Sequence, residues 1–253
     1  MSAKRSRVSG SDAIQREASR MIERGMPNQL AYAVAQGKIS LNDALQSMAN
    51  TDRVERIAAK HDLSRAVATQ VVLGQLDLAS ILRKRRFSDY KTREFDRSIL
   101  SEALASGQTL VLGLHGSEQR KVSVTDVLDF EVVVTDQKGA ENTIKKLSIK
   151  YGYVASDWKT AGKSLKKSRA KAEGQAVPIV KPQDRFRCSD KRLFSLMDEQ
   201  QPVRVQLLEG EEIRGVVSWV SRYEFGLRVK GDAEIIVFRH ALSGLWPDRA
   251  RAK

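Results

Sequence analysis

Cysteine and histidine are scarce in this chain, and that scarcity excludes several classes of protein. The 253 residues include one cysteine and three histidines. Because Cys188 stands alone, it cannot form an internal disulfide, which fits a reducing compartment and predicts a cytoplasmic protein. One thiol and three scattered imidazoles also cannot build a closed zinc site of the common kinds. We therefore expect no bound metal.

Long apolar runs and catalytic motifs are also missing. No apolar run approaches the roughly 18 residues of a membrane span, and no apolar segment follows the basic start MSAKRSRVSG as in a secretory signal. There is no Gly-rich phosphate loop and no dinucleotide fingerprint. His61 and His115 are predicted to lie on the surface or in turns, and Glu209, Glu211 and Glu212 to lie solvated on a turn. We expect no membrane partner, no cofactor and no enzymatic activity.

Positive charge is abundant and unevenly placed. The net charge is +13 and the pI is near 9.9. Residues 1–97 carry 18 basic against 11 acidic side chains, and residues 151–191 carry 10 against 4, whereas 98–150 and 192–253 are nearly neutral. This distribution favours basic arms that flank folded cores and predicts a polyanionic partner, nucleic acid before membrane. The alternative is that lysine and arginine only solubilise helices and linkers.

The N-terminal region 1–97 is predicted to be helical, with an internal repeat. AVAQGKISLNDAL (33–45) aligns with QVVLGQLDLASIL (70–82), 37 residues later. In each copy a glycine suited to a left-handed helix end, Gly37 or Gly74, precedes a residue that caps the next helix, Ser40 or Asp77. The sequence therefore predicts two related helical hairpins.

A basic segment ends this region. LRKRRFSDYKTR (82–93) interleaves cations with two aromatic residues, a composition that can hold phosphates and stack bases. Its candidate basic contacts are Arg83, Lys84, Arg85 and Arg86. The alternatives are a solvated helix end and a helix-turn-helix DNA reader.

The remaining chain is predicted to contain two groups of strands. Short apolar runs separated by turn residues fill 98–151 and, after a short helix, 190–247. Between them, 152–189 is polar and basic and is predicted to be a linker, with candidate contacts at Lys163, Lys166, Lys167 and Arg169. Residues 248–253 form a basic tail.

Two blocks in 190–247 carry a family resemblance. In VRVQLLEGEEIRGVV, alternating apolar residues lead to a turn glycine, Gly210, and then to Gly215, where the strand bends. In VFRHALS, an aromatic residue, a basic residue and a histidine precede Ala, an aliphatic residue and Ser. These blocks resemble the bacterial Hfq branch of the Sm-like RNA-binding family. Residues 98–151 resemble a diverged second copy, because Phe130 lies 93 residues before Tyr223 and two lysines lie 94 residues before the basic-His pair.

The resemblance implies an RNA site. Tyr223 and Phe238 stack bases, while Arg222, Arg239 and His240 supply charge and hydrogen bonds, as single-stranded RNA recognition requires. Further implied contacts are Asp190, which keeps the acidic member of a family pair, and, in the diverged copy, Phe130, Lys145 and Lys146. The structural alternative is that His240 satisfies a buried backbone group and Tyr223 belongs to the core.

The sequence thus predicts an α+β protein with N-terminal helical hairpins followed by two small five-stranded Sm-like antiparallel β-barrels. The predicted function is an RNA chaperone or post-transcriptional regulator that binds single-stranded U-rich RNA. By the resemblance, two Sm folds per chain imply a homo-oligomer, with three chains forming a pseudo-hexameric ring. The alternatives are a DNA-binding regulator that uses the N-terminal helices and an oligomeric scaffold that binds no nucleic acid.

Overall fold

The computed structural model of the chain describes residues 10–116, 118–167 and 177–248. The pattern of contacts divides the chain into two compact units, residues 1–84 and 85–253, with the boundary inside one helix. In the described ranges, no helix combines the length and apolar character needed to cross a membrane.

The first unit is built from helices of alternating length. They are α1 (Gly10–Glu23), α2 (Asn28–Ala35), α3 (Leu41–His61), α4 (Arg65–Val72) and the start of α5 (Leu78–Glu94). The sequence repeat has a structural counterpart, since α4 begins 37 residues after α2 and α5 begins 37 residues after α3. Gly37 and Gly74 adopt φ of 70° and 71° at equivalent turns, where a residue with a side chain would be strained. The Ser40 hydroxyl then accepts the backbone N–H of Asp43, and the Asp77 carboxylate accepts that of Ser80.

The second unit contains two successions of one helix and five strands. The first is α6 (Ile99–Ser106), β1 (Thr109–Leu114), β2 (Gln119–Val127), β3 (Glu131–Asp136), β4 (Glu141–Lys145) and β5 (Ile149–Val154). Next come α7 (Trp158–Ser164) and the two-residue strand β6 (Lys166–Lys167), which pairs with β8. The second succession is α8 (Asp190–Asp198), β7 (Pro202–Leu207), β8 (Glu211–Val220), β9 (Glu224–Arg228), β10 (Glu234–Phe238) and β11 (Leu242–Pro247).

The prediction of two separate five-stranded barrels is wrong. Ten strands form one open antiparallel sheet in the order β11-β7-β8-β9-β10-β5-β1-β2-β3-β4. The sheet is continuous because β10 pairs with β5, with Ile236 opposite Gly152 and Val237 opposite Tyr151. The free edge of β5 is therefore covered by β10 of the other strand group, and neither group closes on itself.

Most strands of the two groups repeat with an offset of 93 residues. β5 and β11 begin 93 residues apart, as do β1 and β7, and β4 and β10. The single 3₁₀ turns after β4 and β10, Lys146–Ser148 and Arg239–Ala241, keep the same offset. Lys146 is therefore the counterpart of Arg239, and the 94-residue offset predicted for the basic pair is wrong.

The apolar core explains why the sheet is shared. One buried cluster combines Tyr151 and Tyr153 of the first group with the core of the second, including Phe225. Another combines the core of the first group with Trp219 and Phe238 of the second. Burial of apolar area is the main favourable term in folding, so separation of the groups would expose both clusters.

A buried charge cluster also joins the two groups, and it corrects the prediction of a solvated acidic turn. Glu209 and Glu211 are only 4% and 7% exposed. The Lys150 ammonium, on β5, donates to Glu209 Oε2 at 2.6 Å and also to Glu211 Oε1. Nδ1 of His115 lies 3.1 Å from Glu209 Oε1. Burial is the main cause that lowers the pKa of His115, against the opposing effect of the Glu209 carboxylate.

Candidate nucleic-acid interface

A cavity of about 640 Å³ lies where the two strand groups meet. We call it the junction pocket. Its lining residues are Phe95, Asp96, Arg97, Ser98, Ser101, Val127, Asp129, Phe130, Glu131, Lys145, Lys146, Leu147, Val180, Arg185, Arg222, Tyr223, Glu224, Phe238 and His240. The pocket thus brings together seven of the nine sequence-predicted RNA contacts, drawn from both groups, while Asp190 and Arg239 lie outside its lining.

Two exposed aromatic rings line the pocket from equivalent turns. Phe130 follows β2 and is 83% exposed, and Tyr223 follows β8 and is 67% exposed. Each turn is held by the same backbone bond, since Lys146 N–H donates to the Phe130 carbonyl and Arg239 N–H donates to the Tyr223 carbonyl, both at 2.9 Å. Large aromatic rings left in solvent on rigid turns are suited to stacking on a planar ligand.

Phe238 occupies a different position from these two rings. It is the last residue of β10 and is 3% exposed, packed in the core cluster of the first strand group. Its ring therefore contributes to the wall of the junction pocket but does not project as a stacking platform.

His240 makes the backbone contact that the structural alternative anticipated. Its Nε2–H donates to the Ile149 carbonyl at 2.8 Å, from the 3₁₀ turn of one strand group to β5 of the other. Burial lowers the pKa of His240 to about 4, since desolvation disfavours the imidazolium. The imidazole ring is therefore neutral near pH 7.

Arg239 and Asp190 bind each other. The Arg239 guanidinium donates to Asp190 Oδ1 at 2.8 Å, and to the carbonyls of Ser221, Arg222 and Cys188 at 3.2, 3.1 and 2.6 Å. These bonds tie the start of α8 to the turn that carries Tyr223. Arg239 is thus placed to position the stacking turn.

The other predicted cations are more accessible. Lys145 is exposed at the end of β4, and Lys146 Nζ donates to the Leu128 carbonyl at 2.5 Å. Arg222 has 57% of its side chain exposed and lies 3.5 Å from the carboxylate of Asp96, which is 90% exposed. An ion pair this exposed contributes little, so Arg222 can exchange Asp96 for a ligand at small cost.

Sequence reasoning missed part of the pocket. The connection between α5 and α6 supplies Phe95 and Arg97, whose guanidinium lies 4.4 Å from the Trp219 ring centroid. Glu224 accepts hydrogen bonds from Ser98 Oγ and from the N–H of Ile99, the first residue of α6. Burial raises the pKa of Glu224, although these two bonds oppose the shift. No local pattern marks Glu224, because its partners lie more than 120 residues earlier in the chain.

Arg185 was also missed, although a signal was present. The run Arg185-Phe186-Arg187 has the interleaving of cations and an aromatic residue that singled out 82–93. Arg185 Nε and Nη2 donate to the carbonyls of Ile179 and Val180 at 2.9 and 2.7 Å, which fixes the segment before α8 beside the pocket.

Comparison with protein-family models and with curated proteins gave no match to this chain.

The auxiliary basic residues are dispersed. Arg83, Lys84, Arg85 and Arg86 lie on α5, Lys163 on α7, and Lys166 and Lys167 on β6, while Arg169 lies outside the described residues. Arg86 donates to Asp198 on α8 at 2.9 Å. That pairing occupies one of the cations on which the DNA-binding alternative depends.

Proposed function

We propose that the protein binds single-stranded RNA in the junction pocket and acts post-transcriptionally in the cytoplasm, as the Hfq-like motifs suggest. The observation that carries the proposal is the pair of exposed rings, Phe130 and Tyr223, on equivalent turns beside one cavity. The function is binding, and no catalytic step or cofactor is part of the proposal.

The balance of charge in the pocket favours recognition of bases. Its cations Lys145 and Arg222 are accompanied by Asp129 and Glu131. Attraction of phosphate alone therefore does not explain this mixture of charges. Stacking on an aromatic ring is worth about 1–3 kcal/mol per base. The neutral His240 ring and neighbouring backbone groups add hydrogen-bonding positions for base edges, which is how splayed RNA bases are read. We expect U-rich strands to be preferred, by the family resemblance.

The experiment that tests this function compares ligands and ring-deletion variants by fluorescence anisotropy. The probes are labelled U-rich and A-rich hexanucleotides and duplex DNA. We expect Tyr223→Ala and Phe130→Ala each to weaken U-rich binding by roughly 5- to 150-fold, the factor that corresponds to the loss of one stacked base.

Tyr32→Ala provides the matched control, since Tyr32 is a half-exposed tyrosine of α2 in the first unit. It should bind like the wild type. Unchanged U-rich binding in both ring variants would refute the proposal, and preferential binding of duplex DNA would favour the DNA-binding alternative.

Assembly into a ring of three chains is part of the same proposal. β4 and β11 form the two ends of the sheet within the described residues. Trp246 on β11 is 40% exposed, whereas Tyr153, its counterpart 93 residues earlier on β5, is 3% exposed and lies in the core cluster that the two strand groups share. Pairing of β11 with β4 of another chain would repeat the internal contact and remove the exposed edges. It would also form a further junction pocket between chains.

Light scattering tests this assembly. We expect a mass of three 28.3-kDa chains for the wild type and of one chain for Trp246→Lys, since a charge on an edge strand opposes pairing. Trp158→Lys, at an exposed tryptophan of α7, should leave the trimer intact. A monomeric wild type, or a trimer that survives Trp246→Lys in folded protein, would contradict the proposed contact.

A further inference from the structure

A second cavity, of about 430 Å³, shares Tyr223 with the junction pocket. We call it the arginine pocket, because every charged residue among the described residues that line it is an arginine: Arg185, Arg187, Arg222 and Arg239. Phe186 and Tyr223 supply its aromatic surface. The junction pocket, by contrast, mixes its cations with four carboxylates.

The guanidinium groups of this pocket differ in their availability. Arg239 is committed to four acceptors of the protein. Arg185 uses Nε and Nη2 to cap two carbonyls, which leaves Nη1 and holds the group in a fixed orientation. Arg187 is exposed, and no hydrogen bond or ion pair joins it to the described part of the chain. Within the described residues, the Arg222 guanidinium has its exposed ion pair with Asp96 and a cation–π contact with Tyr223, at 6.0 Å from the ring centroid.

We propose that the arginine pocket binds a phosphate group of the RNA strand whose base occupies the junction pocket. Guanidinium groups present paired N–H donors that match phosphate oxygens. Both cavities are lined by Arg185, Arg222, Tyr223 and His240. A single RNA strand therefore occupies both cavities and passes Tyr223 between them. In this proposal the bases bind in the junction pocket and a phosphate group binds in the arginine pocket. This inference rests on the proposed function and adds its phosphate contact.

The salt dependence of binding tests the inference. Each phosphate contact of a single strand contributes about 0.7 to the slope of log K against log salt concentration. For a U-rich hexanucleotide we expect Arg187→Gln to reduce that slope by about 0.7 without a change in the U-rich over A-rich preference. Arg187→Lys should retain more affinity than Arg187→Gln.

Lys181→Gln is the matched control, because Lys181 is exposed in the same segment and lines neither pocket. It should keep the wild-type slope. Equal slopes for Arg187→Gln and Lys181→Gln would overturn the inference. If Tyr223→Ala loses the base preference while Arg187→Gln and Arg187→Lys keep the wild-type slope, only the proposed phosphate site is refuted. Unchanged U-rich binding in both Tyr223→Ala and Phe130→Ala would remove the proposed function.

The choice of probe distinguishes a terminal phosphate from an internal phosphate of the RNA backbone. Hexanucleotides that end in a 3′-hydroxyl, a 3′-phosphate or a 5′-phosphate are compared on the wild type and on Arg187→Gln. If a terminal phosphate increases affinity only in the wild type, the pocket binds a terminal phosphate. If the slope changes while the ends make no difference, the pocket binds the internal backbone.

Discussion

Replacement of Lys150 by methionine is expected to lower the free energy of unfolding by about 3–5 kcal/mol, the cost of removing one partner from a buried ion pair. The Lys150 side chain is 1% exposed and serves two carboxylates that are themselves buried. Without the ammonium, Glu209 and Glu211 face each other in a poorly solvated space, and one oxygen of Glu211 already has no hydrogen-bond partner within the described residues. Urea unfolding followed by circular dichroism measures the loss.

A matched lysine and a compensating variant make the measurement specific. Lys121→Met, at an exposed position of β2, should change stability by less than about 0.5 kcal/mol. The triple variant Lys150→Met, Glu209→Gln, Glu211→Gln removes the unpaired charges and should recover part of the loss, since coupled residues are not additive. A Lys150→Met protein as stable as Lys121→Met would show that the cluster does not hold the two strand groups together.

Local sequence signals located the secondary structure of the second strand group well. The turn residues that separate the apolar runs of 190–247, at Glu209-Gly210, Ser221-Arg222, Lys230–Asp232 and around His240, lie between successive strands from β7 to β11. Gly210 and Gly231 adopt φ of 86° and 84° there, where the absence of a Cβ has a direct conformational use. The predicted helical character of 11–97 likewise agrees with α1 to α5.

The same local sequence signals do not predict which distant strands pair with each other. The barrel prediction failed because the free edge of β5 is covered by β10, more than 80 residues later, and only two residue pairs define that contact. Nothing in the alternation of apolar residues distinguishes closure within a group from pairing between groups. The buried cluster of Lys150 and Glu209 was missed for the same reason, since charged residues beside a glycine predict a solvated turn unless their distant partner is known.

The sequence predicted which types of residue line the candidate site better than it predicted what each side chain does there. Phe130 and Tyr223 precede strands and their rings are exposed, whereas Phe238 ends a strand and is buried. The motif identified all three as aromatic, but side-chain direction follows from strand position and from packing. His240 and Arg239 are adjacent in sequence, yet His240 bonds to β5 of the first strand group and Arg239 bonds to Asp190 at the start of α8.

Arg239→Met is expected to destabilise the second unit by about 3 kcal/mol, because it leaves Asp190 and three backbone carbonyls without their shared donor. Only 18% of the Arg239 side chain is exposed, so water replaces these bonds incompletely. For a unit of this size, 1 kcal/mol corresponds to about 2–4 °C in Tm, and calorimetry should therefore show a decrease of roughly 6–12 °C.

The comparison of Arg239 with Arg228 separates a positioning role from direct contact with RNA. The Arg228 side chain is exposed and, among the described residues, makes one hydrogen bond, to Gln200 at 2.8 Å, so Arg228→Met should leave Tm nearly unchanged. Arg239→Lys keeps the charge but loses the planar fork, and we expect it to recover only a minor part of the stability. If Arg239→Met kept the wild-type Tm and lost RNA binding, Arg239 would contact RNA directly. A lower Tm, with a base preference that survives in the folded protein below the transition, is the result expected of a side chain that holds the Tyr223 turn in place.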